Sequence, residues 1–134
     1  MVDGFVLVDK PAGWTSHDVV ARCRRIFDMR RVGHAGTLDP MATGLLVMAL
    51  GRSTRLLRFI QESVKSYDAV AMFGVATDSL DADGSILSRE EMSVDEDELR
   101  RAAQRFVGVI PQVPPMVSAV KVGGARLYQL ARAG

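Results

Sequence analysis

A chain of 134 residues is about one domain of polypeptide, and 48% hydrophobic with 25% charged residues is a globular composition, which excludes disordered, collagen-like and low-complexity classes. The single cysteine, Cys23, cannot form an internal disulfide, which fits a reducing cytoplasm; with only two histidines beside it, a thiolate or imidazole zinc site is short of ligands, so no metal is expected. The net charge of +1 conceals a segregation, with residues 1–60 at +4, 61–100 at −8 and 101–134 at +5. Solvated helix faces are the commoner source of such a pattern, but it also permits a positive face for a polyanion.

Phe5-Val6-Leu7-Val8, closed by Asp9-Lys10-Pro11-Ala12-Gly13, reads as a buried strand entering a turn. Ser16 suits the N-cap of a helix to about Asp28, whose apolar stripe is Val19, Val20, Cys23, Ile26 and Phe27, with Arg22, Arg24 and Arg25 mostly outside. Cys23 is therefore core rather than nucleophile. Residues 28–44 read as a loop and Leu45–Leu50 as a short buried strand. Ser53 or Thr54 then caps a helix through about Gln61, and Val64–Val75 alternates as a long strand bearing Tyr67.

An acidic loop, Ala76–Gly84, precedes a capping box, Ser93-Val94-Asp95-Glu96, that opens a helix with Leu99, Ala102, Ala103 and Phe106 on its apolar side and Gly108 at its end. Val117–Val122 is a strand candidate, Gly123-Gly124 a tight turn and Leu127–Arg132 a short helix. Irregular alternation of strands and helices favours an α+β fold. No basic segment followed by an apolar run opens the chain, and the apolar stretch Pro40–Gly51 is too short to span a bilayer, so neither export nor a membrane partner is expected.

The densest chemistry lies in Gly33-His34-Ala35-Gly36-Thr37-Leu38-Asp39-Pro40. Two glycines allow a tight backbone around His34, and a proline after Asp39 pushes that residue into extended geometry. An acid held rigidly at the rim of a sheet suits a nucleophile or base that must be accurately placed. An Asp-Pro turn with a satisfied loop histidine accounts for these eight residues equally well.

The longer segment Gly33–Leu46 resembles the catalytic motif of the TruB family of bacterial-type tRNA pseudouridine synthases, which isomerise uridine 55 in the T-loop of tRNA. Three further blocks match in family order. Asp9–Ser16 resembles the N-terminal Lys-Pro-x-Gly-x-(Ser/Thr)-Ser motif. Lys65-Ser66-Tyr67, with Gly74 and Thr77–Gly84, resembles the tyrosine strand and its acidic loop. Pro114–Lys121, with Gly124, Arg126-Leu127-Tyr128 and Ala131-Arg132, resembles the start of the segment that grips RNA.

The resemblance implies a mixed, largely antiparallel sheet flanked by helices. Asp39 would be the essential catalytic residue, Tyr67 would stack on the uracil, and His34 would prop the space vacated by the flipped base. Lys10, Lys121 and Arg126 would be backbone contacts to a tRNA T-arm. The reaction needs no cofactor, and the chain carries no phosphate-binding fingerprint. Family members are about twice as long, so residues 1–134 are expected to be the N-terminal portion of a catalytic domain. They would lack the C-terminal half and RNA-binding domain, be inactive and aggregation-prone alone, and belong to a full-length monomer.

Two other classes compete. A non-catalytic RNA-binding module accounts for the basic segments, but a carboxylate facing a phosphate-rich ligand, Asp39, does not serve binding alone. Ser79–Glu90 places Asp81, Asp83, Gly84, Ile86 and Glu90 at positions 3, 5, 6, 8 and 12 of a calcium loop. Against that, Ser79 replaces the first aspartate, Leu87 sits at position 9 and the preceding segment is strand-like, so an acidic strand-to-strand turn is favoured.

Overall fold

A computed structural model describes residues 2–113 together with the paired strand positions 121–122 and 125–126. The chain divides into two compact units, Met1–Asp68 and Ala69–Gly134. The first contains β1 (Gly4–Lys10), α1 (Ser16–Ile26), β2 (Val32–His34), β3 (Gly44–Leu50), a 3₁₀ turn (Gly51–Leu56) and α2 (Leu57–Gln61). Its sheet has the order β1-β3-β2 and is antiparallel throughout, with Gly4 opposite Leu50, Lys10 opposite Gly44 and His34 opposite Met48.

The period-2 pattern of β1 decides which residues enter the core. Val6, Val8 and Lys10 share one face, while Phe5, Leu7 and Asp9 are exposed on the other. On the core face, α1 contributes Val19, Val20 and Cys23, and these meet Val32 of β2 and Leu46, Met48 and Leu50 of β3; Val6, Val8, Phe27, Met29 and Leu38 pack around them. Each such buried aliphatic side chain stabilises the fold by about 1.5–3 kcal/mol, so this cluster carries the unit.

Several expectations need correction. The N-cap of α1 is Thr15, not Ser16: Asp18, three residues on, closes a reciprocal capping box with Thr15, and Ser16 turns inward as the first helical residue. Part of the expected 28–44 loop is β2, an edge strand whose glycine hides its pattern. No side chain caps the 51–61 segment; Thr54 Oγ1 donates to the Gly51 carbonyl (2.8 Å) and accepts from Arg31 Nε (3.1 Å). The long strand expected over 64–75 is confined to its last residue, Val75, and residues 64–72 run without a sheet partner among the described residues.

In the second unit, β4 (Val75–Thr77) and β5 (Ile86–Arg89) form an antiparallel hairpin around the acidic turn. Strands flank that turn where a calcium-binding helix–loop–helix needs helices. Its polar groups bond one another: Ser79 Oγ donates to Asp81 Oδ1 (2.6 Å), as does the Asp83 amide (3.0 Å), and the Ser85 amide donates to Asp78 Oδ1 (2.9 Å). α3 (Glu96–Gln104) starts at Asp95, whose carboxylate accepts from the Glu98 amide, rather than at Ser93. β6 (Lys121–Val122) pairs with β7 (Ala125–Arg126). The expected Gly123-Gly124 turn, Leu127–Arg132 helix and Val117–Val120 strand positions lie outside the described residues.

Candidate active site

Asp39 is exposed, and its carboxylate makes no hydrogen bond and no ion pair among the described residues. Its direction follows from its neighbour. Leu38 packs on the core cluster, and in extended backbone the next side chain faces the opposite way, into solvent.

The backbone on both sides of Asp39 is held by the Lys10–Ser16 segment. Ser16, 1% exposed, accepts from the Leu38 amide (2.9 Å) and donates to the Leu38 carbonyl (3.3 Å) through its single hydroxyl. On the other side, the Pro40 carbonyl accepts from Lys10 Nζ (3.2 Å) and from the Gly13 amide (2.8 Å). Gly13 sits at φ +80, a left-handed conformation that places its N–H toward Pro40 without the penalty a Cβ would bring.

Lys10 corrects an expectation. Its side chain is wholly buried, and its ammonium donates to the carbonyls of Pro11 (3.0 Å), Trp14 (2.7 Å) and Pro40. An ammonium has three protons, so no donor is left for a phosphate. The signal was present in the alternation of β1, where Lys10 has the parity of Val6 and Val8.

His34 ends β2, half-buried, and its Nδ1–H donates to the Gly36 carbonyl (2.5 Å). A carbonyl only accepts, so Nδ1 carries a proton in this contact. The His17 ring meets it edge-on at 5.5 Å. Tyr67 is 67% exposed in the segment that forms no strand, so its expected seat on a strand facing the site is corrected. Lys121 and Arg126 are register partners across the β6–β7 hairpin.

Near this loop lies an open hollow of about 510 Å³ lined by Gly13, Trp14, Asp18, Ala21, Arg22 and Arg25. Neither arginine is ion-paired among the described residues, and the Asp18 carboxylate is engaged by Thr15. A partly exposed indole and two guanidinium groups thus line the same hollow. Helical spacing placed these arginines outside, but nothing in the sequence brought Trp14 beside them. Cys23 is buried, and burial pushes its thiol above the ordinary range, as a core residue requires.

An exposed carboxylate on a braced backbone and a tethered imidazole thus share one loop beside an antiparallel sheet in an α+β fold. Residues 24–134 match the family described as TruB family pseudouridylate synthase, N-terminal domain. The chain belongs to that family. It is 56% identical over its whole length to a tRNA pseudouridine synthase B of Thermobifida fusca, spanning 46% of that protein, and 52% identical over 99% of its length to one of Geotalea uraniireducens, spanning 43%. It therefore covers less than half the length of these relatives. Among solved structures, a chain of a Cbf5–Nop10–Gar1 complex aligns over 88% of this chain and 31% of its own length, with 31% identity and a TM-score of 0.59.

Proposed function

We propose that the full-length protein isomerises uridine 55 in the tRNA T-loop to pseudouridine, with Asp39 as the catalytic carboxylate. The observation that carries this reading is the exposed carboxylate of Asp39, without a partner among the described residues, on a backbone braced from both sides, within a family motif. The bond between ribose C1′ and uracil N1 breaks, the base turns, and C1′ is rejoined to C5. Atoms and oxidation state are conserved, so the protein need only supply a nucleophile or base and hold the pieces. Asp39 supplies it, either by attacking C1′ or C6 or by taking the C2′ proton on a glycal route.

The target base must leave its stack at a cost of a few kcal/mol. His34, tethered to Gly36, is the group that props the vacated space, and Tyr67 supplies a ring for the extruded uracil. Lys121 and Arg126, opposite one another on a hairpin, contact the RNA backbone.

The test uses full-length protein and a T-arm transcript. Asp39→Asn is expected to leave RNA affinity within about twofold and to lower product formation by at least about a thousandfold, the scale of losing a catalytic group. A transcript with cytidine in place of the target uridine yields no pseudouridine there. Product from Asp39→Asn at the parent rate would overturn the assignment. If the parent binds the RNA but forms no product, the non-catalytic module is the correct reading.

A further inference from the structure

We propose that Ser16 is a positioning residue for Asp39, acting through the two peptide units of Leu38, and this rests on the catalytic role proposed for Asp39. The Leu38 amide belongs to the peptide unit before Leu38, and its carbonyl to the unit joining Leu38 to Asp39. Both bond the one hydroxyl of Ser16, at 2.9 and 3.3 Å. The unit joining Asp39 to Pro40 has no N–H, and its carbonyl accepts from the Ala42 amide at 3.0 Å. The next unit is held through the Pro40 carbonyl by Lys10 and Gly13. Every peptide unit around Asp39 is therefore fixed, and the pyrrolidine ring fixes one further torsion. What remains free at Asp39 is its side-chain rotamer.

Ser16 is the part of this brace that ties it to the core. It is the first residue of α1, and three further residues of that helix, Val19, Val20 and Cys23, are buried against the sheet. Its own burial is nearly complete, so water cannot replace the hydroxyl if it is removed. A catalytic group fixed before the substrate arrives spends no binding energy on ordering, and a displacement of about 1 Å costs about a hundredfold in rate.

Full-length Ser16→Ala is expected to lose about ten- to a hundredfold in kcat on a T-arm transcript, with KM within about twofold of the parent. Ser16→Thr, which keeps the hydroxyl, should recover most of that loss. Val20→Ala removes core packing from the same helix without touching the brace, and should keep kcat within about twofold at a comparable loss of melting temperature. Should Ser16→Ala fail to fold, Ser16→Cys, near in shape but a weak hydrogen-bonding group, carries the same comparison. An active parent with an equally active Ser16→Ala, or a Val20→Ala that loses as much kcat, would overturn the positioning role alone. A parent that forms no pseudouridine would remove the reading on which the role stands.

Discussion

An ammonium taken wholly out of water is tolerated only where all its protons find acceptors, because the desolvation of a charge otherwise exceeds what packing returns. Lys10 meets that condition with three carbonyls, two from its own turn and one from Pro40 across the chain. Lys10→Met would leave the Pro11 and Trp14 carbonyls without this donor, and is expected to lower stability by about 3 kcal/mol, read as a fall in the thermal unfolding midpoint. The same variant should leave the salt dependence of RNA binding unchanged in full-length protein, whereas Lys121→Gln should reduce the slope of log Kd against log salt by about one. A reduced slope for Lys10→Met would return this lysine to the RNA surface. Two residues of the sequence reading thus part company at this scale. The exposure of Asp39 agrees with the extended geometry read from its proline, whereas Lys10 was read by its charge when its parity in the strand decided the matter.

Among the elements, α1 shows how a local signal and a long-range one divide the work. Thr15, Ser16 and Asp18 all favour helix starts, and the choice of Thr15 as cap frees Ser16 for Leu38. The Thr15 hydroxyl, and then its backbone N–H, bond the Asp18 carboxylate and hold its pKa below the usual aspartate value. A group with a depressed folded pKa stabilises the fold above its unfolded value, about 3.9, and that stabilisation is lost as pH falls through the folded value. Asp18→Ala should therefore unfold at lower urea than the parent at pH 7, and the gap should shrink as the pH is taken down to about 3. A gap that persists in acid would place the effect in packing rather than in the carboxylate. The elements that escaped the sequence are those whose existence depends on a distant partner. β2 is a three-residue edge strand that forms because β3 is there to receive it, and the alternating 64–75 segment, lacking a partner strand among the described residues over most of its length, stays unpaired despite its pattern.

At the scale of the molecule, the Met1–Asp68 unit has a covered face and an open one. α1 covers the side bearing Leu46, Met48 and Leu50, while Phe5, Leu7 and Leu45 on the other side are 44, 68 and 65% exposed. β1 also forms one end of the sheet order, so seven residues of outer backbone edge lie beside this apolar surface. An apolar face next to a strand edge that no described residue pairs is a template for association. The 134-residue chain should therefore sediment as a concentration-dependent mixture rather than as a monomer. Leu7→Lys places a charge where the side chain already meets water, so it should raise the monomer fraction and leave the unfolding midpoint nearly unchanged. If the charged variant associates as strongly as the parent, backbone pairing at the β1 edge rather than contact between faces drives the assembly, because a lysine side chain on the face leaves the edge amides and carbonyls free to pair.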